Sequence, residues 1–102
     1  MITALLVFGV VFSYQAQAQT CSVVVDNDAD CGNNGCLTVT VTGGTSPYDY
    51  VWYDNLGNSF PATLNSPFFT NQKCNLPAGD YFCVVTDAVG NICSTSTVTI
   101  IN

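Results

Sequence analysis

Apolar and polar residues alternate with a period of two in several short stretches, and this alternation restricts the possible folds more than any other feature. In residues 36–42, Leu37, Val39 and Val41 share one parity and threonines share the other, which is the pattern of a strand with one buried face. Clusters of Gly, Pro and Asn separate the stretches, as turns require. After residue 18, no segment has a convincing helical period. The other predicted strands are residues 22–25, 48–53, 81–86 and 95–101.

The predicted strands are short and recur about every ten residues, which favours an antiparallel β-sandwich over a parallel sheet with helical crossovers. Tyr81 lies two residues before Cys83, where the immunoglobulin-type fold has a corner tyrosine, and Trp52 lies where that fold has a core indole. We therefore predict an all-β, immunoglobulin-like antiparallel β-sandwich, stapled by disulfides. Residues 54–72 are expected to add one or two edge strands.

The charged residues exclude several classes of function. The chain has 102 residues and a formal net charge of −6, from seven acidic residues and one basic residue, and it has no His. With a single cation, the chain has almost nothing to neutralise phosphates, so nucleic-acid binding is not expected. All the acidic residues are Asp, and without His or Glu the commonest general bases and the His-dependent nucleophiles are missing. We therefore do not expect an enzyme.

The first residues of the chain indicate export. Residues 2–12 are mostly apolar, and Ala16 and Ala18 frame a small-residue cleavage motif, so residues 1–18 are interpreted as a secretory signal peptide. The apolar stretch is about 11 residues long and a membrane-spanning helix needs about 20, so no stable transmembrane anchor is expected. No basic residue begins the segment, and the alternative is a retained apolar segment. Residues 19–102 are predicted to form a single β-sandwich domain.

All six cysteines follow residue 18. An even number of cysteines behind an export signal indicates three disulfides in an oxidising compartment, so the protein is expected to be secreted, extracellular and at the cell surface. Zinc is the competing explanation, but the cysteines lack the close pairing of zinc motifs and no His is present to complete a site. The cysteines are Cys21, Cys31, Cys36, Cys74, Cys83 and Cys93.

One acidic segment resembles the first half of a calcium loop. Asp26, Asp28 and Asp30 place carboxylates at alternate positions, where hard oxygen ligands can converge on Ca²⁺. The glycine of the motif comes one residue late, at Gly32, and Leu37 occupies the position of the bidentate Glu. The alternative is a solvated acidic turn between two strands. No cofactor other than calcium is expected.

Two longer blocks resemble a known family. Residues 31–52 end in Gly-Gly-Thr-Ser-Pro-Tyr-Asp-Tyr-Val-Trp, and residues 76–91 contain Leu-Pro-Ala-Gly-Asp-Tyr followed by Thr-Asp-Ala-Val-Gly. These strings are similar to the repeat of SprB-type gliding adhesins and its polycystic-kidney-disease-type relatives. The resemblance implies an extracellular structural or adhesive module without enzymatic activity. Family members usually occur as tandem arrays, whereas this chain holds one copy.

Six cysteines allow 15 pairings, and the expected pairs have different origins. The first follows from the resemblance, because the family has a frequent cysteine pair at the matching positions. The second follows from strand order, and the third is left by subtraction. An immunoglobulin-like Cys36–Cys83 bridge and a bond from Cys21 to a neighbouring subunit stay open as alternatives. The expected pairs are Cys31–Cys93, Cys36–Cys74 and Cys21–Cys83.

A single module gains reach when copies associate, so we expect a structural subunit that assembles into a filament or surface layer. An unpaired strand edge offers backbone donors and acceptors to a partner, and residues 22–25 or 97–101 are the strands expected to be lent. The expected contact residues are Val23, Val25, Phe68, Phe69, Val98 and Ile100.

The alternative function is a monomeric adhesion module that binds surface glycans. Aromatic side chains would then stack on sugar rings, and exposed aromatic residues commonly mark interaction sites. The aromatic residues considered for this role are Tyr48, Trp52, Tyr53 and Phe68.

Overall fold

The computed structural model describes residues 19–102, which contain eight strands and no helix. Residues 1–18, and the signal-peptide prediction made for them, lie outside the described residues. The strands are β1 (Thr20–Asn27), β2 (Gly35–Thr42), β3 (Tyr48–Asp54), β4 (Thr63–Ser66), β5 (Thr70–Leu76), β6 (Gly79–Thr86), β7 (Ile92–Ser94) and β8 (Val98–Ile100).

The strands form two antiparallel sheets. The three-stranded sheet has the order β1-β2-β5, and the five-stranded sheet has the order β4-β3-β6-β7, with β8 also paired to β6. Strand β7 pairs with the second half of β6 and β8 with its first half, so β7 and β8 together flank one side of β6. This arrangement confirms the predicted immunoglobulin-like antiparallel sandwich.

The prediction for residues 95–101 needs a correction, because the last strand is interrupted. Strand β7 ends at Ser94 and β8 begins only at Val98. At the interruption, the Thr95 hydroxyl accepts a hydrogen bond from the backbone N–H of Cys83 (3.0 Å), while the Thr95 N–H donates to the Cys83 carbonyl (2.9 Å). A side-chain oxygen therefore replaces a backbone carbonyl, and the regular ladder stops.

The core lies between the sheets and is built by the period-two alternation. In β2, Leu37 and Val39 are fully buried, while Thr38 and Thr40 on the other parity are half-exposed. The same alternation buries one face of β3 and one face of β6. The largest fully buried side chains are Tyr50, Leu37, Leu76, Ile100, Val39, Val85 and Cys83.

The two aromatic residues that suggested the fold lie in the core. The Tyr81 hydroxyl donates a 2.7 Å hydrogen bond to the Pro77 carbonyl, which closes the corner before β6 as the sequence predicted. Trp52 is 3% exposed, and its indole N–H donates to Oδ1 of Asn71 in the opposite sheet (2.8 Å). The buried polar atoms of both rings are therefore satisfied.

Candidate interaction surfaces

The disulfides tie the sandwich together in two different ways. Cys21–Cys93 joins β1 to β7 and so links the two sheets, whereas Cys36–Cys74 joins the neighbouring strands β2 and β5 within one sheet. The prediction of Cys36–Cys74 is confirmed.

The other two predicted pairs, Cys31–Cys93 and Cys21–Cys83, are wrong. The register places Cys21 opposite Val41 near the start of β1, at the end of the sandwich where β7 pairs with β6. Cys31 lies in the turn after the far end of β1, so Cys21 takes the place given to Cys31. The alternatives in which Cys21 joins another subunit or Cys36 joins Cys83 are excluded by the same bonds.

Two cysteines remain free in residues 19–102, and their environments are opposite. Cys31 is exposed. Cys83 is fully buried, and burial raises the pKa of its thiol to about 12, against a smaller lowering effect of a hydrogen bond with the backbone of Val51. Because the thiolate is the reactive form of cysteine, Cys83 is chemically inert in the folded protein.

One edge of the sandwich is closed. Cys21–Cys93 fastens β1 to β7 at one end, and at the other end the Ala29 N–H donates to the Ile101 carbonyl (2.9 Å). The Ile101 N–H in turn donates to Oδ1 of Asp28 (3.2 Å). Lending the strand at residues 22–25 or at residues 97–101 to another copy would first require these bonds to break, and strand lending stays a prediction from the sequence.

The structure divides the predicted contact residues into two groups. Ile100 is 1% exposed, and Val23 and Val98 are partly buried against the core, because their parity directs them inward. These three side chains therefore pack within the domain itself, and their role as contact residues stays a prediction from the sequence. Val25 is 37% exposed, and Phe68 and Phe69 are 68% and 62% exposed.

The chain crosses from β4 to β5 at the edge opposite the closed one. Here Leu64, Phe68 and Phe69 are exposed within six residues of sequence, and we call these three residues the β4–β5 patch. The backbone of the crossing is held firmly, because the Phe68 carbonyl accepts from the Tyr50 hydroxyl (2.7 Å) and the Phe69 carbonyl accepts from the Val41 N–H (2.8 Å). The patch is therefore an ordered apolar surface.

Strand β4 itself is a poor template for adding another strand. It has four residues, its register with β3 is irregular, and Asn65 within it has a positive φ of 55°. Short and irregular edge strands discourage backbone pairing with other chains. Strand β4 is therefore better suited to contacts through side chains than to backbone pairing.

Two turns of the five-stranded sheet are built on the same five-residue pattern, Asp-x-x-Gly-Asn. In residues 54–58, Asp54 Oδ1 accepts from the N–H groups of Leu56 and Asn58, both at 2.9 Å. In residues 87–91, Asp87 Oδ1 accepts from the N–H groups of Val89 (3.1 Å) and Asn91 (2.8 Å). Each asparagine also donates its side-chain amide to the aspartate.

The hydrogen bonds of these turns lower the pKa of both aspartates. For Asp54, the N–H of Asn58 has the largest effect. For Asp87, burial raises the pKa, but hydrogen bonds from Asn91, Thr45 and Val89 outweigh burial and lower it. Both carboxylates therefore act as fixed acceptors that hold a turn closed.

The three aspartates proposed for calcium have other partners. Asp26 accepts from the side chains of Thr38 and Gln72, and Asp28 accepts from Ile101. Asp30 lies in the following turn with a φ of 53°. Within the described part of the chain, no group of three His, Cys, Asp or Glu side chains is placed to hold a metal ion. Calcium binding stays a prediction from the sequence.

Few of the aromatic residues considered for glycan binding are accessible. Tyr48 and Trp52 are 7% and 3% exposed, so neither can stack on a sugar. Tyr53 is half-buried and stacks on Phe82, with ring centroids 5.1 Å apart, and Phe68 is exposed. Residues 19–102 enclose no pocket.

One segment in the first half of this sandwich is similar to a known protein family. Residues 24–57 match the family model of the SprB repeat. This segment is similar to the SprB repeat. It covers about a third of the chain, from the middle of β1 to the turn after β3, and the match confirms the resemblance seen in the sequence. No curated protein matches the chain.

SprB repeats occur in cell-surface proteins. The match therefore suggests a surface or adhesin-type module with a structural, non-enzymatic role. In the part of the chain that the structure describes, no helix is long and apolar enough to cross a membrane.

Proposed function

We propose that this protein is a secreted structural subunit of the cell surface, and that copies of it associate through the β4–β5 patch. The observation that carries the proposal is the contrast between the two edges of the sandwich. The edge formed by β1 and β7 is closed by a disulfide and by hydrogen bonds, whereas the other edge exposes Leu64, Phe68 and Phe69 on a rigid crossing. Contiguous exposed apolar side chains commonly mark interaction sites.

Charge favours a second copy as the occupant of this patch. Residues 59–72, which contain the whole patch, include no charged residue, although the chain has a net charge of −6. Two copies can therefore meet through uncharged side chains of the patch, while the neighbouring Asp49 carboxylate is engaged by the Asn65 N–H (2.8 Å), which limits the electrostatic cost of bringing like charges together.

A filament or surface layer requires a second contact, because one self-complementary surface gives only pairs. The two Asp-x-x-Gly-Asn turns offer candidates. Leu56 and Val89 at their tips are 80% and 69% exposed. Because β3 and β6 are antiparallel, the turns that follow them lie at opposite ends of the five-stranded sheet. Contacts between the two ends of successive copies would extend an assembly without limit.

A monomeric module that binds glycans is the second candidate. The exposed ring of Phe68 favours it, because it offers a free face for stacking on a sugar. The buried positions of Tyr48 and Trp52 count against it.

The test compares Phe68→Ser/Phe69→Ser with the matched control Val24→Ser, which changes an exposed valine (56% exposed) on β1, away from the patch. Light scattering after size-exclusion chromatography measures association, and electron microscopy of secreted material shows whether fibres or layers form. We expect wild type and Val24→Ser to associate, and the double variant to lose the pairing through the β4–β5 patch with an unchanged melting temperature. A wild-type protein that stays monomeric at millimolar concentration would contradict the proposal.

A further inference from the structure

The two outer faces of the sandwich have different chemistry. On the three-stranded sheet, the outward positions of β2 are Thr38, Thr40 and Thr42. On the five-stranded sheet, the outward positions at the centre of β3 and β6 are apolar and half-buried. We call these four residues the outer strip: Val51, Tyr53, Phe82 and Val84.

The outer strip consists of two cross-strand pairs. Val51 lies opposite Val84, and Tyr53 lies opposite Phe82 with the two rings stacked. Such pairs stabilise a sheet, but they do not require that a strand be apolar on both faces. Residues 82–85 of β6 are all apolar, which is typical of strands covered on both sides. In residues 19–102, the other sheet covers only the inner side.

A carboxylate lies at each end of the outer strip. Asp80 lies two residues before Phe82 on β6, and Asp49 of β3 lies opposite Thr86. Six residues of extended chain separate the two ends, which corresponds to about 20 Å. The Thr99 hydroxyl and the Asn65 N–H donate to Asp80 and Asp49, respectively, so both carboxylates are held in place.

The chain supplies no cation to this face. Its one basic residue, Lys73, is on β5 of the other sheet, with its Nζ 4.9 Å from the centroid of the Phe60 ring. The outer strip therefore has an apolar centre with uncompensated negative charge at both ends.

We propose that the outer strip docks a different protein, through an extended segment with apolar side chains at its centre and Lys or Arg about 20 Å apart at its ends. A second copy is disfavoured, because both the parallel and the antiparallel alignment of two strips bring carboxylates together. A glycan is a weaker candidate, because Val51 and Val84 carry no group that could bond to sugar hydroxyls and the rings of Tyr53 and Phe82 already stack on each other. This surface shares no residue with the β4–β5 patch.

The probe for the test is the peptide Lys-Thr-Val-Thr-Tyr-Thr-Lys with blocked ends. In an extended conformation, its two Lys, its Val and its Tyr share one face, and the Lys residues are about 20 Å apart. The comparison peptide has Glu in place of both Lys. Titration into the isotopically labelled full chain, followed by NMR, measures weak affinities and locates the binding face. We expect saturable shifts at Val51, Tyr53, Phe82 and Val84, and affinity at least about tenfold lower for the Glu peptide.

Two sets of variants separate the apolar and charged contributions. Val51→Thr/Val84→Thr keeps the branched side-chain shape, and its control is Val24→Thr on the other sheet. Asp49→Asn/Asp80→Asn removes the charges but keeps one side-chain oxygen acceptor at each position, and its control is Asp26→Asn. We expect each double variant to lower the affinity for the Lys peptide by about fivefold to tenfold, and each control to leave it unchanged.

Four results would overturn the proposal. The first is the absence of saturable shifts up to about 5 mM peptide, which corresponds to a binding free energy weaker than about −3 kcal/mol. The second is equal binding of the Lys and Glu peptides, and the third is binding at another face. A wild-type dimer that Val51→Thr/Val84→Thr converts to monomer would also overturn it, because the strip would then pair copies. Loss of association only in Phe68→Ser/Phe69→Ser bears on the proposed function and leaves this inference intact.

Discussion

Asp54 and Asp87 make matching hydrogen bonds in two turns, yet their surroundings differ. Asp87 is 5% exposed and also accepts from the N–H of Thr45 (3.0 Å), so it joins its own turn to the turn before β3. We expect Asp87→Ala to lower the free energy of unfolding by about 2 kcal/mol, because several part-buried N–H groups lose their acceptor. Asp54→Ala should have a smaller effect, since its turn is solvated. Urea denaturation checks both values, and a larger loss for Asp54→Ala would contradict this account.

The lowered pKa of both aspartates gives the sign of the pH dependence. A carboxyl whose pKa is lower in the folded chain stabilises the fold above its unfolded pKa, which for Asp is about 3.8, and this contribution is lost as the pH falls through the folded pKa. We expect unfolding to be favoured progressively below about pH 4. In thermal melts between pH 2 and pH 7, the melting temperature of Asp87→Asn should fall less steeply with decreasing pH than that of wild type. Parallel curves for the two proteins would show that Asp87 is not responsible.

The two free cysteines should be distinguished by their reactivity. Cys31 is exposed and Cys83 is buried with a pKa of about 12. We expect iodoacetamide at pH 8 to modify one cysteine in the folded protein, two after unfolding without reductant, and six after reduction. Mass spectrometry of the labelled chain counts the modifications and identifies the residues. Modification of Cys21, Cys36, Cys74 or Cys93 without reductant would contradict the disulfide pattern.

At the scale of single elements, alternation predicted the central strands well. Residues 36–42, 48–53 and 81–86 correspond closely to β2, β3 and β6, because each has one face packed in the core. The interruption at Thr95 could not be predicted, since it depends on a side-chain hydrogen bond with a strand far away in sequence. The pairing of Cys21 with Cys93 likewise depends on which end of β1 meets β7, and alternation does not report this.

The interaction surfaces were predicted only in part. Phe68 and Phe69 follow a proline in an uncharged segment, and their exposure agrees with the sequence hypothesis. Ile100 lies at a strand position whose side chain points into the core. Alternation in residues 97–101 shows that successive side chains face opposite sides, but it does not show which side is buried. The outer strip could have been found in the sequence, because residues 81–85 are apolar at both parities.

The Cys21–Cys93 bond should determine the local stability of strand β1. In the loop-entropy model, loss of this bond, which spans 72 residues, costs about 4.4 kcal/mol, and loss of Cys36–Cys74, which spans 38 residues, costs about 3.9 kcal/mol. The two costs in stability are similar, but the two bonds act at different places, because only Cys21–Cys93 joins the two sheets. We expect Cys21→Ala/Cys93→Ala to accelerate hydrogen exchange in β1 and β7, and the control Cys36→Ala/Cys74→Ala to spare them. Uniform acceleration in both variants would contradict a local role for the bond.

At the scale of the whole molecule, the distribution of charge separates the two proposed contacts. The net charge of −6 opposes any association of copies, although the β4–β5 patch itself is uncharged. The outer strip, in contrast, presents Asp49 and Asp80 to a basic partner. Salt screens both interactions, but it removes repulsion in the first case and attraction in the second. The two contacts should therefore respond to ionic strength in opposite directions.

We expect the self-association constant to rise by about threefold when NaCl increases from about 0.05 M to about 0.5 M, because the Debye length shrinks below the distance between copies' carboxylates. Over the same range, affinity for the Lys peptide should fall by about tenfold. Sedimentation velocity measures the first quantity and NMR titration the second. Phe68→Ser/Phe69→Ser is the control for the first and Asp49→Asn/Asp80→Asn for the second, and each should abolish the salt response of its own contact only. If both affinities rose or both fell with salt, the same surface would bind a second copy and the Lys peptide. The separation of the β4–β5 patch from the outer strip would then be wrong.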